Sequence, residues 1–217
     1  MDLKKAFGNQ LFDIDLKDTG NFKIETSKAK FGKPVKDIAT KINSTYGLSD
    51  NLKAELIEVY TQVFEIDLYW GLGPTSNESL LSSDDWIKNN YESYTRDQNF
   101  SGSMNLLSFD EMMTTKEHTY ANTKGVNYLP LDLHWALVVF LKKEKEKVEN
   151  NLYVFNSEGA ELVDLGIGVL DYLELAAKAK CFYYWQYAYL KMDFWSAALK
   201  HLLPKFMPKA DLDLKLY

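Results

Sequence analysis

Cysteine and arginine are nearly absent from this chain of 217 residues, and both absences restrict what it can do. Cys181 is the only cysteine, so neither an intrachain disulfide nor a cysteine cage for a metal can form. We expect it to be a buried, small hydrophobic residue. Arg96 is the only arginine among 25 basic residues, which disfavours a site that clamps phosphate with guanidinium groups.

Signals for secretion, membrane insertion and domain division are missing as well. The first residues are charged throughout, and nowhere is there a run of about 18 apolar residues. We therefore expect a cytoplasmic protein without a membrane span. Because no repeat or low-complexity linker interrupts it, the sequence predicts a single domain over 1–217, with an N-terminal extension (1–33), a core (34–190) and a C-terminal tail (191–217).

Residue types that carry catalysis are present but scattered. Gly71 and Gly73 are followed at once by a proline, and no lysine stands at phosphate-loop spacing. Asp84 and Asp85 stand at a predicted helix start, where the helix dipole favours carboxylates. None of the histidines has the spacing of a helical zinc motif. They are His118, His134 and His201. The sequence therefore predicts no catalytic residues, no metal site and no cofactor.

Negative charge is concentrated in the middle of the chain. Residues 65–117 contain ten acidic and three basic residues, whereas residues 1–64 sum to +1 and residues 118–217 to zero. Such a field disfavours nucleic acid and anionic membranes, and it attracts a basic partner. An ordinary solvated surface is the alternative interpretation.

Hydrophobic periodicity predicts an α+β arrangement. Apolar residues recur at helical spacing in two neighbouring segments, which predicts an α-hairpin at 34–64. The period then changes to two, as in strands. Strands are predicted at 66–70, 103–107, 135–141 and 152–156. The stretch 135–141 is continuously apolar, which is typical of a central strand buried on both faces. We interpret the mixed-charge residues 142–151 as a solvated hairpin loop.

Local signals predict the remaining elements. We interpret residues 75–82 as a loop and expect a helix to begin at Ser83. Ser108, followed at the third position by Glu111, predicts a capping box. Residues 169–190 are predicted to form a long helical region that ends in an aromatic cluster, for which core packing is the expected role. Two prolines are predicted to break up the tail: Pro204 and Pro208.

The order of these features resembles the SUKH superfamily, which includes fungal cell-wall synthesis regulators, the bacterial Syd protein and many bacterial toxin-immunity proteins. The resemblance covers roughly residues 35–190. Its carriers are the α-hairpin up to Phe64, the strand ending in Trp70, the segment GSMNLLSFDEM (102–112), Leu129-Pro130 before the next strand, the strands at 135–141 and 152–156, and a closing helix with VLDYLE.

This resemblance implies a fold and a class of function. The implied fold is an N-terminal α-hairpin packed on a central, mostly antiparallel sheet with C-terminal helices. The implied function is non-enzymatic binding of another protein, as in immunity proteins that neutralise a bacterial toxin directly. A regulatory or scaffold protein of the cell-wall synthesis type, without a toxin partner, is the alternative, and an enzyme is a third class.

The acidic segment supplies the candidate partner-binding residues. A basic toxin domain would be attracted to exposed carboxylates on the helix predicted to begin at Ser83, and an aromatic side chain beside them could anchor the complex. The candidates are Asp84, Asp85, Trp86, Glu92 and Asp97. Trp86 also fits a core position.

Overall fold

A seven-stranded antiparallel sheet organises the computed structural model, which describes residues 1–9, 24–90, 100–115, 127–133, 137–156, 161–191, 193–207 and 214. Within these residues the strands are β1 (Ile24–Phe31), β2 (Ile66–Leu72), β3 (Ser101–Leu106), β4 (Asn127–Leu133), β5 (Leu137–Glu144), β6 (Lys147–Asn156) and β7 (Glu161–Asp164). Each strand pairs with its neighbour in sequence. The predicted α+β class and antiparallel sheet are confirmed.

Helices precede, interrupt and follow the sheet. In the described part of the chain they are α1 (Ile38–Ser44), α2 (Asp50–Tyr60), α3 (Pro74–Ser83), α4 (Asp85–Asn90), α5 (Phe109–Thr114), α6 (Val169–Lys178), α7 (Trp185–Tyr189) and α8 (Asp193–Phe206), with one π-helical turn at Lys5–Asn9. Helices α2 and α6 contact each other and β6, so they cover one face of the sheet. Helix α8 packs on α7.

The strand β5 lies in the interior of the sheet, as its apolar sequence predicts. Val139 and Leu141 belong to the main core, whereas Val138 and Phe140 are buried in a second cluster together with Phe155. Because successive side chains of a strand point to opposite faces, this pattern places β5 between two apolar layers. The prediction of a doubly buried strand is confirmed from residue 137 onward, and its first two residues lie outside the described ranges.

The charged residues 142–151 are not a loop, and this prediction was wrong. Strand β5 continues to Glu144 and β6 begins at Lys147, leaving a two-residue turn. Ion pairs between residues two apart, such as Lys142 with Glu144 at 2.7 Å, lie on one face of each strand. Val148 is buried and pairs with Leu48, so the charged ladder is anchored to the core.

The region 169–190 is broken rather than continuously helical. After α6 the chain turns through left-handed conformations at Lys180 and Cys181. The carbonyl of Lys180 accepts a hydrogen bond from the indole of Trp70 at 2.7 Å, and the carbonyl of Cys181 accepts one from the amide of Ser103 at 2.9 Å. The backbone that follows α6 therefore supplies hydrogen-bond acceptors to the Trp70 side chain of β2 and to the Ser103 amide of β3.

Local predictions in the middle and tail have mixed outcomes. The capping box at α5 is confirmed, with the Ser108 and Glu111 side chains each bonded to the other's backbone amide. Residues 75–82 are not a loop, because Pro74 starts α3, a helix with Leu80 buried. Pro204 lies inside α8 near its end and does not break it. The second tail proline, Pro208, lies outside the described residues.

Candidate functional site

The three described partner-binding candidates stand together at the start of α4. Asp84 precedes the helix, Asp85 is its first residue and Trp86 its second. Glu92 and Asp97 lie outside the described residues. The side chains of Asp84, Asp85 and Trp86 have different environments.

Asp84 is a buried ion-paired carboxylate rather than a solvated one, which corrects the expectation from sequence. Asp84 as a whole is 8% exposed to solvent. One carboxylate oxygen accepts a hydrogen bond from the backbone amide of Ile87 at 3.1 Å and caps α4, which confirms the role expected for a carboxylate at this helix start, although the helix begins at Asp85 rather than at Ser83. The Lys205 ammonium lies 2.6 Å from the other oxygen, and Nε2 of His201 lies 3.0 Å from each. Asp84 thus ties α4 to α8.

The surroundings of Asp84 favour its charged form. Burial raises the pKa of its carboxyl, but hydrogen bonds from Lys205, the Ile87 amide and His201, together with the charge of His201, lower the pKa to about 2. Asp84 is therefore ionised at neutral pH and engaged within the chain. It is not available to a partner without breaking this contact.

Asp85 is the solvated acid of the three. Its side chain is 89% exposed and its carboxylate lies 3.4 Å from the Lys88 ammonium one helical turn later. An exposed pair of this kind is worth well under about 1 kcal/mol and exchanges readily with solvent. The carboxylate of Asp85 is therefore accessible to a basic group from outside.

Trp86 combines packing with exposure. Its ring stacks on Phe194 of α8, with centroids 6.2 Å apart and planes at 25°, and lies 5.0 Å from the ring of His201. The residue nevertheless remains partly exposed. Phe194 and the start of α8 were missed by the sequence reasoning. The available signal was that Asp193-Phe194 repeats the Asp-aromatic order of Asp85-Trp86 at a helix start.

Folding offsets part of the negative charge counted along residues 65–117. Asp84 meets Lys205, and Asp110 forms an ion pair with Lys41, so two acids are matched by bases from outside the segment. Glu111 is held in the capping box of α5. Fewer acidic side chains of this segment are therefore accessible than the sequence count implies. Of the two described acidic candidates for partner binding, Asp84 is buried and Asp85 is exposed.

A second polar cluster lies inside the core. The Tyr172 hydroxyl donates to the Asp132 carboxylate at 2.6 Å and accepts from the Gln186 amide at 3.1 Å. Asp132 also accepts the amide of Asn105 at 2.8 Å. All the side chains of this Asp132, Tyr172 and Gln186 cluster belong to buried residues, so the cluster links β4, α6 and α7 rather than facing a substrate.

Titratable groups near this cluster are held in their neutral forms. Burial raises the pKa of both the Cys181 thiol and the Tyr172 hydroxyl well above their usual values, and the negative charge of Asp132 is the second largest cause. Cys181 is buried, as predicted from sequence. A thiol with a raised pKa and no access to solvent is a poor nucleophile.

Among the described residues, no group of three or more His, Cys, Asp or Glu side chains is arranged to hold a metal ion. His201 contacts the Asp84 carboxylate through Nε2, and the other two histidines lie outside the described ranges. Of the helices described, none combines the length and the apolar character needed to cross a membrane.

Comparisons with protein-family models, with curated proteins and with solved structures give no match to this chain. The described residues define an α+β domain with an antiparallel sheet in chain order. They also define a surface at the starts of α4 and α8 where an exposed carboxylate adjoins partly exposed aromatic rings.

Proposed function

We propose that this chain is a non-enzymatic protein-binding module, and that its specific role is that of an immunity protein which neutralises a bacterial toxin by direct binding. The observation that carries the proposal is the position of Asp85. This highly exposed carboxylate stands beside the partly exposed ring of Trp86 in the most acidic segment of the chain. Aromatic side chains anchor many protein interfaces, and a charged group beside such an anchor suits the polar rim, where it can pair with an opposite charge of the partner.

The charge of this surface supports a basic partner. Exposed carboxylates accelerate the encounter with a positively charged protein, and they repel phosphate groups of nucleic acids. A toxin domain that acts on nucleic acid must itself be basic to bind its substrate. Such a domain would be steered toward Asp85.

Two buried carboxylates, Asp84 and Asp132, form contacts within the chain, and this supports a binding role over a catalytic one. Asp84 is held by Lys205 and His201, and Asp132 is held in the core by Tyr172. A catalytic acid or base needs access to the substrate and a pKa matched to its task. These groups serve to join helices and strands.

The resemblance to the SUKH superfamily supports the more specific part of the proposal. The order of the α-hairpin, the strand ending in Trp70, the capping-box segment and the closing helix resembles that superfamily, and many of its bacterial members are toxin-immunity proteins. A binding module of this kind needs no cofactor, and we place it in the cytoplasm.

The proposal is tested by capture followed by rescue. The tagged chain is used to capture proteins from the source organism, and each captured protein is expressed alone and together with this chain. We expect a basic protein that stops growth when expressed alone, and normal growth when the two are co-expressed.

A captured protein that is harmless on its own, with a role in cell-wall synthesis, would instead support the regulatory alternative. If a growth-stopping protein is captured but co-expression does not restore growth, the immunity role is wrong. Asp85→Lys should slow association with the true partner, with a smaller effect at high salt, because surface charges are screened beyond about 10 Å at 0.1 M.

A further inference from the structure

We draw no further inference here: the strongest candidate, the exposed patch around Tyr69 of β2 and Asn105 of β3 on the face of the sheet opposite the main core, carries nothing, because no feature of the described residues shows what would cover it.

Discussion

Replacing Asp84 with asparagine should destabilise the protein through charge alone. Asparagine has nearly the same shape and can still cap α4, so the hydrogen bond from Ile87 is retained. The ion pairs with Lys205 and His201 are lost. A pKa lowered from 3.8 to about 2 corresponds to roughly 2.5 kcal/mol of preference for the ionised form. Both partners are 34% exposed, so we discount this for screening to about 1–2 kcal/mol of unfolding free energy.

The loss should depend on pH in a defined direction. Because the folded-state pKa of Asp84 lies below its unfolded value, its stabilisation is fully present above about pH 4 and disappears as pH falls from 3.8 toward 2. Urea unfolding of wild type and Asp84→Asn at a series of pH values measures this. The gap in unfolding free energy should be largest near neutral pH and should shrink below pH 4.

Asp85→Asn is the matched control, since it changes the neighbouring carboxylate in a fully solvated setting. It should alter the unfolding free energy by less than about 0.5 kcal/mol. Equal losses for the two variants, or an Asp84→Asn effect that stays constant down to low pH, would refute the buried ion pair as the cause.

Other outcomes follow from the packing of the core. Gly102→Ala should cost about 2 kcal/mol or more in urea unfolding, because the added carbon would collide with the indole nitrogen of Trp70 and would lie 2.6 Å from the carbonyl oxygen of Cys181. Tyr172→Phe should cost about 1–3 kcal/mol in the same assay, because it removes the hydroxyl that donates to Asp132. Cys181 should react with a thiol reagent only as fast as the protein opens, because burial and a raised pKa keep its thiol protonated and inaccessible.

Each of these outcomes has an internal comparison. Gly8→Ala adds a carbon that, among the described residues, meets the Phe31 ring at 3.6 Å, an ordinary contact distance, so it should be mild. Tyr46→Phe changes a side chain of a residue that is 85% exposed and should be neutral. Immediate labelling of the folded protein would contradict the burial of Cys181. Equal stabilities of Gly102→Ala and Gly8→Ala would contradict the close approach at Gly102, and equal stabilities of Tyr172→Phe and Tyr46→Phe would contradict the hydrogen bond from Tyr172 to Asp132.

The fold class was predictable because its strongest elements follow simple periodicity. Strands β2 and β5 have the alternation or continuous apolar character that a buried strand requires. Strand β4 was not predicted, because Leu129-Pro130 was interpreted only as the approach to the next strand, and the structure accommodates Pro130 and Asp132 at a register shift. Helix α3 was missed because its sequence PTSNESLLSS has no apolar stripe.

The candidate site was only partly predictable because its key contacts join distant parts of the chain. The sequence placed Asp84 among solvated acids, but its environment is set by Lys205 and His201, more than a hundred residues later. Likewise, the stacking of Trp86 on Phe194 depends on how α8 packs. Local patterns identify residue types, whereas the charge and exposure of each side chain depend on tertiary contacts.

The order of the strands has a consequence for synthesis. Since each strand pairs with the one just before it, the sheet can extend as residues leave the ribosome. Yet the indole of Trp70 bonds to a carbonyl 110 residues further along, and Asp84 meets His201 117 residues later. A nascent chain that has emerged as far as β7 therefore carries all seven described strands, while the apolar face of their sheet still lacks α6 to α8. We expect such chains to bind chaperones, and a stop codon placed before α6 to yield an aggregating product.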